Sequence, residues 1–205
     1  LTTAQIKVME TRDLVTLTAD QIGKLSTAQA AALTTDQVAK LTADQVSKFA
    51  TEAFAAMSTA QIAVMTSAQV AGLTTGQLSN MTTAQIKAIT TADIQAITAD
   101  QLVKLTANQV ASLTTDQIVA LTTDQASVLT TGQISSLTTA QIKVMETRDL
   151  AVLSADQIGA LTSAQAAALT TLQVSKLTAD QVSQIATATI SSLTTAQVAA
   201  LTTAQ

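Results

Sequence analysis

Apolar side chains recur at every eighth residue along the whole chain. Counting from Leu1, the series runs through Met9, Leu17, Leu25, Leu33, Leu41, Phe49, Met57, Met65, Leu73, Met81, Ile89, Ile97 and Leu105 to Leu193 and Leu201, and no member is polar. A second apolar position follows five residues after the first, as at Ile6, Val38 and Ile118. Thr, a small or acidic residue and then Gln lie between them, so the consensus is L-T-T-x-Q-[I/V]-x-x. Self-similarity at a fixed period is the mark of a repeat architecture, in which a unit too small to bury its own apolar face buries it against its neighbours.

Each position of the octad has a physical role if the octad starts a helix. A Thr followed three residues later by Gln fits the capping box, in which the hydroxyl accepts from a backbone N–H one turn on and the Gln side chain reaches back to the cap residue's own N–H. Thr2 with Gln5, Thr34 with Gln37 and Thr114 with Gln117 are three instances. The residue before the cap and the fourth helical residue then form a hydrophobic staple. Leu1 with Ile6, Leu33 with Val38 and Leu113 with Ile118 are the matching pairs, and all are expected in the core. Position four is often Asp, as at Asp20, Asp36, Asp44, Asp100, Asp116, Asp124, Asp156 and Asp180, which sets an anion in the first turn, where the helix dipole favours it.

A cap every eight residues leaves room for helices of only about six or seven residues, well below the ~12 at which an isolated helix becomes even marginal in water. A cap contributes on the order of 1 kcal/mol, whereas ordering eight backbones costs roughly 8 to 16 kcal/mol. Stacking of octads must supply the difference. The predicted fold is therefore all-α, a solenoid or superhelix of short helices, one per octad, with positions one and six inside. A β-solenoid is the alternative, favoured by the Thr, Val and Ile content. Its weakness is that apolar spacings of five and three are both odd and would put Leu1 and Ile6 on opposite faces of a strand. One continuous helix is a poorer fit, because its Leu stripe would advance about 80° per octad and never form a seam.

A longer period lies above the octad. The string LTTAQIKVMETRDL occurs at Leu1 and again at Leu137, and MTTAQIKAITTADIQAITADQ at Met81 echoes the same opening. The long repeats are thus about 1–80, 81–136 and 137–205, of ten, seven and a further set of octads. These lengths lie near whole turns if a turn takes about 3.4 octads, although recombination alone duplicates any number of them. Residues 1–205 are expected to form a single continuous solenoid, cut from a longer array because both end octads match the consensus.

Composition removes several function classes. Charged residues are 12% and the net charge is −4, so no basic stripe is present to neutralise phosphates, and nucleic acid is not an expected partner. The octad interrupts every apolar run, so no stretch approaches the ~20 residues of a membrane-spanning helix. With no Cys and no His, the chain has no thiolate or imidazole for catalysis or metal binding. Its carboxylates sit at repeated helix-start positions with no partner to tune them. The expectation is no enzyme activity, no catalytic residue, no metal and no cofactor. Asp ladders such as Asp36 with Asp44 offer one carboxylate per octad, far short of the six to eight oxygens that calcium takes. Asn80-Met81-Thr82 matches a glycosylation acceptor, a short and weakly specific motif.

The places where octads depart from the consensus are the candidate interaction sites. Glu10 and Glu146 replace the capping Thr, with Arg12, Asp13 and Arg148, Asp149 beside them. One patch per long unit would pair with a ligand or with a neighbouring copy. Ala50 and Ala186 lack the cap hydroxyl, and Ala53 and Thr189 stand where the Gln should be. The two aromatic residues, Phe49 and Phe54, occupy positions one and six of a single octad and are expected to enlarge the core there.

The string LTxxQV resembles the opening of repeats in transcription activator-like effectors over about six residues, without their specificity-setting loop, so DNA reading does not follow. Over its full length the octad pattern is similar to the repetitive shafts of very large bacterial surface or secreted proteins of adhesin-like or haem-utilisation-like type. That resemblance implies an extracellular or cell-surface structural role, as a filament or adhesin shaft that associates with itself and contacts cell surfaces or matrix, and it transfers no site residues. The alternative is a binding module that displays a recognition face on the same scaffold.

Overall fold

The computed structural model describes residues 1–203 and 205, and its regular structure is all helical: twenty-five short α-helices, one per octad, with no strand among the described residues. The helices are four to six residues long, beginning Thr3–Val8, Thr11–Leu14, Ala19–Gly23 and ending Thr187–Ile190, Thr195–Ala199. In twenty of them the full capping box is present, as at Thr34, whose Oγ1 accepts from the Gln37 N–H at 3.1 Å while Gln37 Oε1 accepts from the Thr34 N–H at 2.8 Å.

Each helix stops because its last turn closes on a short bond from the N–H of the next position one to the carbonyl of position six, as from Leu33 to Ala30. The chain then runs extended through positions one and two; Leu41 has φ −60° and ψ 147°, and Thr42 φ −75° and ψ 160°. No described residue has positive φ and no peptide is cis. The corner is built from two ordinary extended L-residues, which is why the chain repeats it with only five Gly and no Pro.

The chain divides into two compact units, residues 1–105 and 106–205, a boundary that falls at neither end of a long sequence repeat. Within each unit a helix packs on the third one after it: Thr3–Val8 on Thr27–Ala32 and Ala43–Ser47 on Ser67–Ala71 in the first, Thr139–Val144 on Ser163–Ala168 in the second. The chain thus coils. Positions one and six fill the interior, and Phe54 is the largest of the wholly buried side chains.

The two apolar positions are covered from opposite sides. Ile6, Leu14 and Ile22 are wholly buried although no coil precedes them, so the following coil covers position six. Leu1 is 67% exposed and Met9 and Leu17 only half-buried, so position one needs the preceding coil. Leu1 is accordingly not the core residue its place in the octad suggests, because the local staple does not bury position one without another coil. The reverse holds at Val198, a position-six residue with no following coil, which is 52% exposed.

Candidate functional site

The polar seam between coils is built by the same Gln that completes each cap. Its Oε1 faces its own helix start, which leaves both Nε2 hydrogens free to donate to the preceding coil. Gln37 Nε2 donates to the Ile6 and Met9 carbonyls at 2.8 Å each, Gln69 to Val38 at 2.8 Å and Leu41 at 2.6 Å, and Gln141 to Val110 at 3.1 Å and Leu113 at 2.8 Å. The acceptors lie 28 to 31 residues upstream, and the packed helices 24, so the coil closes between three and four octads. The position-one carbonyl is a corner group outside the helix that the amide pairs, while the position-six carbonyl already accepts from the next position-one N–H, as Val38 does from Leu41, and takes the amide on its second lone pair. Gln37 is buried for this reason, and Gln117 is buried too, whereas Gln5, with no coil before it, is exposed and serves only its cap. The capping box predicted from sequence was one half of the Gln's work; the donation across the coil carries no local sequence signal.

Five helices lack the full box. Glu10, Ala50, Glu146 and Ala186 cap without a side-chain bond. Thr90 caps the Asp93 N–H, and Asp93, in place of Gln, receives the Thr90 hydroxyl on Oδ2 at 2.5 Å and the Ser67 hydroxyl on Oδ1 at 2.6 Å. Thr189 sends its hydroxyl to the Leu161 carbonyl at 3.5 Å, a weak stand-in for the amide.

The two candidate patches differ although their sequences match. Arg12 pairs with Glu10 at 2.8 Å and lies 3.6 Å from Asp13, with all three side chains well exposed. Arg148 pairs with Glu146 at 2.6 Å, but Asp149 is only 1% exposed, so Asp149 does not belong to a surface patch. The preceding coil covers position five in the second copy and not in the first. Thr123 Oγ1 donates to Asp149 Oδ1 at 3.1 Å, while Oδ2 is buried with no hydrogen-bond partner. Burial pushes the Asp149 carboxyl above its usual range; the Thr123 hydroxyl and Arg148 pull it down, and Glu146 adds to the rise.

Shallow grooves run between coils on the outer face. One is lined by Thr3, Ala4, Lys7, Ala31, Leu33 and Thr34, and its copy recurs 136 residues on around Thr139, Lys143, Ala167 and Leu169. Both exist because the octads at Leu25 and Leu161 carry Ala at positions six to eight, which leaves a hollow. Another groove, flanked by Thr11, Arg12, Val15, Lys40 and Thr42, joins the exposed Arg12 of the first patch to the exposed Lys40. Among the described residues no three acidic side chains gather as a metal site would require, and no helix is long and apolar enough to cross a membrane.

Short helices of one kind, a shared apolar interior and one repeated polar clamp define a helical repeat protein. The family model described as the ALTTAQ repeat matches residues 6–43, 43–75, 70–107, 100–131, 108–139 and 142–179, and the chain belongs to this family. Three of the matches, 6–43, 70–107 and 142–179, hold a position-five Gln together with its acceptor carbonyls: Gln37, Gln101 and Gln173. No curated protein matches the chain.

Proposed function

We propose that this segment is a non-enzymatic structural repeat, the shaft of an extracellular bacterial filament or adhesin. The observation that supports the reading most is the uniformity of the clamp: in both units one buried Gln per regular octad ties each coil to the one before, so the coil extends by adding octads without a new contact type. Nearest-neighbour stacking of this kind suits load-bearing length, and the polar groups of the seam are consumed in holding it. Self-association, with cell-surface or matrix contacts, is the partnership proposed.

Immunogold electron microscopy of the native material tests this. Label along thin surface fibres is the expected outcome; label confined to the cell interior overturns it. A binding module is the second reading, favoured by the exposed Glu10, Arg12 and Asp13 beside the groove that Lys40 and Thr42 flank. Reversing the charge of Arg12 and Glu10 together discriminates the two: loss of cell or matrix attachment with the helical signal unchanged supports binding at that face.

A further inference from the structure

The Asp149 octad carries two substitutions that act on one atom, and unlike the Met9 octad, which carries the same pair with Asp13 exposed, it holds its carboxylate buried. In regular octads position five is an amide that donates across the seam, as Gln141 does to Leu113 on one side and Gln157 to Leu129 on the other. At position 149 the donor is replaced by a carboxylate, so the Leu121 carbonyl, midway along that row, receives no amide from it. The Asp93 octad has the same Gln-to-Asp change, yet both of its oxygens are bonded, Oδ2 by the hydroxyl of the cap Thr90. In the Asp149 octad the cap is Glu146, which has no hydroxyl to give, and Oδ2 is left buried and alone.

A buried acceptor with no donor costs free energy, and more when it carries charge. Arg148, whose Nε stands 3.6 Å from Oδ1, leaves no electrostatic case for a metal cation there. A proton removes the charge and creates the missing donor in one step. The charged groups around the carboxyl fit this assignment. On its own helix end are Arg148 and Glu146, already paired with each other. The preceding coil brings the Thr123 hydroxyl and an exposed Asp124, and the following coil an exposed Lys176. The adjoining octads bring Lys143 and Asp156, both exposed.

We propose that the Glu146–Asp149 octad is a proton-operated seam in the coil: neutral Asp149 donates from Oδ2 toward the preceding coil as a Gln would, and ionised Asp149 makes this the first place where the coils part. A carboxyl held above its usual range in the folded state binds a proton that the unfolded chain has released. Its stabilising effect is therefore complete below the unfolded value of about 3.9 and is lost as pH rises through the higher folded value. Acid closes the seam and neutral pH loosens it.

The test is amide exchange of the helices Thr123–Ser127 and Thr147–Ala151 in the 205-residue chain between pH 4 and 7, corrected for intrinsic rates and set against Asp149→Asn. In the wild type the local opening constant is expected to rise about tenfold relative to the variant for each pH unit of displacement of the carboxyl, while the variant shows no such rise. A carboxyl ¹³C titration of the wild type gives a second reading, with a midpoint above the ordinary Asp value expected. Glu146→Thr, which restores the hydroxyl found at Thr90, lowers that midpoint. A profile identical in wild type and Asp149→Asn, a midpoint at or below about 3.9, or a midpoint that Glu146→Thr leaves unmoved each overturns the proposal.

Discussion

One side chain, the position-five Gln, does two jobs that are separable by mutation. Gln69 accepts from the Thr66 N–H at 2.7 Å and donates to Val38 and Leu41 across the coil. Gln69→Ala removes both and leaves the buried Leu41 carbonyl without its amide donor, so a loss of about 2 to 4 kcal/mol is expected. Gln5→Ala removes only the exposed cap bond, and the expected cost is about 0.5 to 1 kcal/mol. Urea denaturation of the two variants measures the ratio, and equal losses would show that the coil-to-coil donation contributes nothing. The cap half of this role was legible in sequence, since Thr and Gln three apart are local neighbours. The clamp half was not, because its acceptors lie 28 to 31 residues away on backbone that carries no residue identity. Asp149 was misread for the same reason: Asp13 and Asp149 have identical neighbours in the chain and differ only in whether a coil covers them.

Within an octad the helix is short enough that single backbone and cap choices show. Ala50 stands exposed at a cap with φ −55° and ψ 144°, close to the geometry of the Thr caps, but has no oxygen to offer. Ala50→Thr is expected to raise stability by about 1 kcal/mol, read as a higher melting temperature. Glycine gives the opposite lesson at two sites. A Cβ on Gly23 would meet the Lys48 carbonyl oxygen of the next coil at 2.6 Å, whereas one on Gly132 meets only the Thr130 hydroxyl at 3.9 Å. Gly132→Ala should stabilise by about 0.5 to 1 kcal/mol through the unfolded chain, and Gly23→Ala should destabilise by pushing the coils apart. Calorimetric melting of both variants checks the predicted difference in sign. Helix existence, spacing and start were all readable in the octad, because caps and staples are local. The tight approach at Gly23 was not, since position seven tolerates Lys7, Val15 and Ala31 in neighbouring octads of the same coil.

Across the molecule the octad, not the coil, is the unit that can be gained or lost. A coil closes between three and four octads, and a regular Gln finds the position-one carbonyl together with that of position six, as Gln37 does, or seven, as Gln85 does, because all octads present them alike. Deleting Leu73–Asn80 brings Gln85 to a new octad with the same acceptors, and the helical signal should persist with only the loss of one unit's contribution. Deleting the four residues Leu73–Gly76 shifts the frame by half an octad, so that Gln meets solvent-facing positions and the Leu row breaks. That chain should lose cooperative unfolding across the junction, measured by circular dichroism in urea. Equal behaviour of the two deletions would mean that the coils are held by local helix formation alone. The insensitivity to whole octads also explains why the sequence repeats at 80 and 136 residues, both multiples of eight, while its compact units part at 105. Duplication that preserves the octad frame preserves every clamp, and nothing in the packing selects a longer register.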